Sequence, residues 1–163
     1  MTNQNIPKKI LYWYDNNKRA LPWRKKVSKK KQEYFTLVSE FMLQQTQVKT
    51  VIPYFEKFIK EFPNLKSLAK SSDHKILKNW EGLGYYSRAR NLKKTAIKLL
   101  KDYKGELPED IETLKSLPGI GEYTSRSILA IAHNKPYIPM DGNVERILKR
   151  VFLLKTDYEI SKE

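Results

Sequence analysis

LPGIGEYTSRSILAIAHNKPYIPMDGNVERI, residues 117–147, contains two devices that set the fold. In Leu117-Pro118-Gly119-Ile120-Gly121 a proline and two glycines end one helix and allow a turn with positive φ. They leave backbone N–H groups bare at the start of the next helix, which is a ready seat for an anion. Further on, Asp141 lies in a Pro-Met-Asp-Gly-Asn turn directly ahead of Val144, Ile147, Leu148 and Val151, whose spacing is helical. Asp141 is therefore placed to cap that helix.

Outward from this stretch, nearly every segment repeats its apolar residues at helical spacing, and no alternating strand pattern persists for more than a few residues. The pattern predicts an all-α chain with helices at about 5–17, 33–46, 48–61, 73–80, 86–103, 109–116, 121–133 and 142–153. Pro53 fits the first turns of its helix, Pro63 stops it, and Pro108 precedes the next. RKKVSKKK, residues 24–31, reads as a basic loop that is either a solvated turn or a phosphate contact. Residues 157–163 read as the start of a further helix, which suggests a fragment of a longer chain.

The 163 residues include 32 Lys and Arg against 18 Asp and Glu, a formal charge of +14 that favours a polyanionic partner, nucleic acid first. An acidic membrane surface is the rival, but no apolar run approaches the ~20 residues of a membrane span and no signal-like start is present. A cytoplasmic, monomeric protein is expected. The absence of Cys excludes a disulfide or a thiolate-held metal within these residues. The two isolated histidines, His74 and His133, make no ligand cluster, so no metal site is expected within the chain.

Several residues could carry chemistry. Glu40 interrupts the apolar run Tyr34–Leu43, where burial would raise its pKa and keep it protonated as a general acid. The alternative is a glutamate on the exposed edge of that helix. Asp141 is a cap and, at the positive end of a helix dipole, stays ionised. A protonated acid beside a fixed anion suits cleavage of a bond to an anomeric carbon through an oxocarbenium-like transition state. Residues 82–90, GLGYYSRAR, combine backbone donors, stacking faces and arginines that can meet phosphates, with at least one of Tyr85 and Tyr86 expected in the core. Gln44, Gln45, Thr46 and Gln47 form a polar helix end that could hydrogen-bond base edges.

These residues resemble the helix-hairpin-helix DNA glycosylases with a Gly/Pro-rich loop and catalytic Asp, specifically the adenine-specific mismatch glycosylases of the MutY type. The resemblance covers almost the whole chain in six ordered blocks: LPWR at Leu21, SEFMLQQTQV at Ser39, VIPYFEKF at Val51, GLGYYSRARN at Gly82, LPGIGEYT at Leu117 and DGNVERI at Asp141. It implies a six-helix barrel over 23–138 with its hairpin at about 111–133, while 1–22 and 139–163 belong to a second helical domain. It also implies a monofunctional base-excision enzyme that flips adenine from a pair with 8-oxoguanine or guanine and hydrolyses its N-glycosidic bond.

By position, Glu40 would protonate adenine N7 and later handle the attacking water, and Asp141 would stabilise or transiently bond the cation at C1′. Tyr123 would assist near the sugar and Asn143 would support the acid. Trp23, Arg24, Leu43 and Val48 would surround the adenine. Gln45 and Tyr86 would enter the helical stack, and Thr46, Arg88, Gly119, Gly121 and Thr124 would contact DNA, with a monovalent cation on the hairpin carbonyls. Relatives with lysine at position 123 cleave the strand; Tyr123 implies no such lyase step.

The sequence departs from the family's pattern in three ways. The cysteines that hold a [4Fe–4S] cluster in the family are absent. The Nudix-like domain with which the family reads 8-oxoguanine is not expected within these 163 residues, which bears on preference for the oxidised partner. The stretch from Trp23 to Glu40 is a few residues longer than usual and has Leu37 where the family has Trp. Two further readings stand beside the first: a DNA-binding fragment without catalysis, and a related glycosylase for thymine opposite guanine.

Overall fold

The computed structural model describes residues 5–154, so the further helix expected over 157–163 lies outside the described residues. Among the described residues the chain is entirely helical: α1 (Ile6–Asn17), α2 (Lys29–Leu43), α3 (Val48–Glu61), α4 (Leu65–Lys70), α5 (Asp73–Trp80), α6 (Ser87–Asp102), α7 (Ile111–Lys115), α8 (Glu122–His133) and α9 (Gly142–Phe152). A short 3₁₀ turn, Pro22–Arg24, precedes α2.

α2 is the axis of the fold. It is buried without a break from Glu33 to Met42 and packs against α8, α3, α6 and the 3₁₀ turn. A helix surrounded in this way has no exposed edge, so a carboxylate within the run goes into the interior. Phe35, Phe55 and Trp23 meet edge-to-face in one layer of the core, with ring centroids 5.3 Å apart. Phe58 and Trp80 form another.

The structure corrects several boundaries. α2 takes up the end of the basic loop, beginning at Lys29, and stops at Leu43, because Gln44 leaves helical geometry and Gln45 has a φ of 56°. α4 was not expected. Its six residues are held by a capping box in which Asn64 accepts from the Ser67 N–H at 2.9 Å and the Ser67 hydroxyl receives the Asn64 N–H. Pro53 sits in the second turn of α3, where it removes one helical hydrogen bond rather than falling among the free N–H groups of the first turn.

Both Tyr85 and Tyr86 are exposed, against the expectation that one is core; Tyr85 is turned out by a φ of 46°. α1 and α9 bury no side chain, although Leu11, Trp13, Ile147 and Val151 on them are large and apolar.

Candidate active site

Glu40 lies inside the molecule, 8% exposed, because α2 is enclosed from Glu33 to Met42. Burial pushes its carboxyl above the ordinary carboxylate value. A hydrogen bond from the Ser127 hydroxyl and the positive charge of Arg24 pull it part of the way back.

Asp141 is its opposite. It caps α9, its Oδ1 accepting the N–H groups of Val144 at 2.8 Å and Asn143 at 2.9 Å. These bonds, with the Asn143 side chain and the charge of Arg146, hold it below the usual carboxylate range and so ionised.

Tyr123, the second residue of α8, joins the two. Its phenol is raised by burial and by the negative charges of both Glu40 and Asp141, so one half-exposed ring senses both carboxyls. A carboxyl raised by burial, a carboxylate held low by its cap and a phenol that feels both thus lie near one another, on α2, at the N-cap of α9 and in the first turn of α8.

The hairpin places this group. Gly119 has a φ of 81°, and a Cβ there would stand 2.8 Å from both Asn91 Cβ and Phe41 Cε1; glycine is required by conformation and by space together. Gly121 differs from the expectation that both glycines serve a positive-φ turn. It has a φ of −98° with nothing near a built Cβ, and no side chain caps α8, so its contribution is an open helix start.

Gln44 Nε2 donates to Gly119 O at 3.1 Å and to Thr124 Oγ1 at 3.4 Å, locking the end of α2 to the hairpin. Thr95 Oγ1 donates to Pro118 O at 2.8 Å and Lys98 Nζ to Ser116 O at 3.1 Å. A monovalent cation at the hairpin would share carbonyls that already accept these bonds. Among the described residues no group of three His, Asp or Glu could hold a metal. With no cysteine in the sequence, nothing here fits a [4Fe–4S] cluster.

The remaining site residues divide clearly. Arg24 is exposed and acts on Glu40 through its charge. Trp23 is 4% exposed against Phe55, a core aromatic, and half-buried Leu43 and Val48 pack on the same core. Gln45 and Tyr86 are exposed.

Arg88, expected at a phosphate, points inward. It donates to the carbonyls of Phe41, Met42, Gln44, Leu83 and Gly84 and to Thr46 Oγ1. Thr46 and Thr124, also expected at DNA, are engaged by Arg88 and Gln44. Gln44 itself faces the hairpin rather than base edges.

Asn143 engages Asp141 and Arg146, its Oδ1 accepting from Arg146 at 2.8 Å. Ser127, whose hydroxyl lowers the Glu40 carboxyl, is a residue that sequence reasoning missed. The signal was a serine one helical turn beyond Tyr123 within the buried stripe of α8.

The family described as HhH-GPD superfamily base excision DNA repair protein matches residues 38–163. The adenine DNA glycosylase of Buchnera aphidicola subsp. Acyrthosiphon pisum is 45% identical over 168 residues, which cover all of this chain and 47% of that protein. The adenine DNA glycosylase of Rattus norvegicus is 44% identical over 153 residues, 91% of this chain and 30% of that protein. The chain thus spans less than half the length of these curated relatives. A thermostable thymine-DNA glycosylase superposes with a TM-score of 0.80 at 26% identity, covering 90% of this chain and 66% of that one. A non-covalent endonuclease III–DNA complex superposes with a TM-score of 0.77 at 22% identity, over 99% of this chain and 76% of that one, a likeness of fold.

Proposed function

This chain belongs to the HhH-GPD superfamily of base excision DNA repair proteins, and from that premise we propose that it removes adenine mispaired with 8-oxoguanine or guanine by hydrolysing the N-glycosidic bond. The observation that carries the reading is the convergence of buried Glu40 and ionised Asp141 on Tyr123 beside the hairpin. The names of the relatives support adenine as the base.

A base inside a duplex is out of reach of a buried acid, so the nucleotide swings out of the stack. Glu40 gives its proton to N7, which turns adenine into a neutral leaving group as the bond to C1′ breaks. The Asp141 carboxylate stabilises the positive charge at C1′. The Glu40 carboxylate then accepts a proton from the attacking water, which restores the acid and leaves an abasic site. Tyr123 supplies no amine, so no Schiff base forms and the strand stays intact. The charge of +14 draws the duplex in, and bare N–H groups at the start of α8 receive a phosphate. The division at 22 and 138, a monomeric state and a cytoplasmic location belong to the same proposal.

A second reading, DNA binding without catalysis, is favoured by one observation: α1 and α9 bury no side chain. Single-turnover base release from duplexes containing A:8-oxoguanine, A:G and T:G pairs separates the readings. Adenine release that Glu40→Gln abolishes while duplex binding persists is the expected result. Binding without release supports the second reading, and release of thymine replaces adenine as the substrate. Wild-type rates in Glu40→Gln would remove Glu40 as the acid.

A further inference from the structure

We propose that the cavity beside the start of α2 docks an acidic segment of a partner protein, which seats an apolar side chain in the cavity and sets its carboxylates against Lys30, Lys31 and Lys66. The proposed function enters only in placing DNA at the hairpin.

The cavity holds about 520 Å³, within the range of roughly 300–1,000 Å³ over which sites enclose a ligand. Buried Tyr34 and Leu65, with Leu100 at 37% exposure, give it apolar walls, and the exposed Lys30, Lys31 and Lys66 also line it. No carboxylate lines it among the described residues.

The three cations are not placed for stability. Lys30 and Lys31 occupy the first turn of α2 and Lys66 that of α4, where the positive end of the helix dipole disfavours them, and neither turn holds an acid. The neighbouring Lys29 and Lys75 pair with Glu109 and Glu61. Lys31 lies 5.5 Å from the Phe35 ring centroid, but none of the three has a carboxylate partner among the described residues. Charges that oppose their own helices and gain no counter-ion within the chain are complementary to an anion from outside.

Side-chain chemistry favours a peptide over a nucleotide. The Tyr34 hydroxyl donates to Phe62 O at 2.6 Å and Asn64 Oδ1 accepts the Ser67 N–H at 2.9 Å, so polar oxygens at the cavity are already used and few groups remain to read a base edge. Apolar surface continues instead: Ile97, 45% exposed, stands one turn before Leu100 on α6 and extends the contact beyond the cavity. An apolar anchor flanked by acids matches this layout. About 20 Å of helix separates Lys30 from Leu43, beyond which Gln44 bonds the hairpin. Peptide and duplex therefore bind at opposite ends of α2 and at the same time.

Random peptides displayed on phage are selected against the full chain with a duplex bound, and the enriched sequence, made with a dye, is measured by fluorescence anisotropy. Enriched peptides should carry Asp and Glu around a Leu or aromatic residue, and their affinity should fall as NaCl is raised. The double variant Lys30→Glu/Lys66→Glu puts an acid in the first turn of two helices, so it should fold as wild type does. It should weaken the peptide by about 10-fold or more, with duplex affinity at physiological salt unchanged. Leu100→Glu should weaken the peptide as much by charging the apolar wall; if that variant unfolds, the double variant decides alone. Enrichment of peptides without acids, no enrichment at all, or equal peptide affinity in wild type and the double variant would overturn the proposal. So would a loss of duplex affinity of about 10-fold in the double variant, which would give the lysines to nucleic acid. None of these results depends on adenine release, so the docking site and the proposed function fail separately.

Discussion

Replacing Arg88 with Met should unfold the site from within. Arg88 is 6% exposed, and its two terminal nitrogens serve six acceptors: Met42 O at 2.8 Å, Leu83 O and Thr46 Oγ1 at 3.1 Å, Phe41 O and Gly84 O at 3.3 Å, and Gln44 O. Three of these carbonyls end α2, where a cation also complements the helix dipole. Met fills much of the volume but donates nothing. A buried acceptor that loses its donor costs about 1–3 kcal/mol. With relief from burying the guanidinium and partial relaxation, the net loss should be about 3–5 kcal/mol.

For a chain of this size that lowers the melting temperature by about 6–20 °C. Urea unfolding followed by far-UV circular dichroism measures the free-energy loss, and a thermal melt by the same signal measures the shift in melting temperature. Arg88→Lys sharpens the argument. It keeps the charge that a phosphate would need but not the fork that reaches carbonyls on both α2 and the 82–84 turn, and it should still cost about 2 kcal/mol. A phosphate contact predicts the reverse: little change in stability, and a salt dependence of duplex binding that falls by about 0.9 in log–log slope for Arg88→Met. Full stability in Arg88→Met together with that fall would refute the interior role.

Two other perturbations follow from the geometry. Gly119→Ala should lose about 1–3 kcal/mol in urea unfolding, from strain at a φ of 81° and contact with Asn91 and Phe41. Gly121→Ala, with open space around it, should stay within about 0.5 kcal/mol; equal losses would contradict the packing described for the hairpin. Glu40→Gln should become more stable relative to wild type as pH rises. A carboxyl whose folded pKa is raised by burial lends its full stability below its unfolded value of about 4.3 and loses it as pH climbs through the folded value. Urea midpoints at acid and neutral pH check this, and a constant difference between the two proteins would show that Glu40 ionises as freely folded as unfolded.

Much of the site was readable along the chain because its determinants are local. The apolar run on both sides of Glu40 forces an enclosed helix, and an enclosed helix buries its carboxylate. Asp141 precedes an apolar-periodic helix, and its cap closes within three residues. The proline and glycines at 118–121 stop one helix and start another through φ restrictions that act on single residues. The same locality explains the missed α4, since a six-residue helix shows too little periodicity to stand out from the loop around it.

Direction was what the order of residues did not carry. Arg88, Gln44 and Thr124 look like ligands for an outside anion or base, because side-chain chemistry announces donors and acceptors without saying where they aim. Folding brings carbonyls from more than forty positions away to Arg88 and the hairpin to Gln44, and interior acceptors claim donors that a solvated chain would offer to DNA. Tyr85 and Tyr86 went the opposite way, both exposed, Tyr85 turned outward by a backbone angle no propensity announces. Ser127 comes to act on Glu40 because α2 and α8 pack against each other. Local periodicity tells which face of a helix is dry; only the packing of one dry face on another tells which polar group finds a partner there.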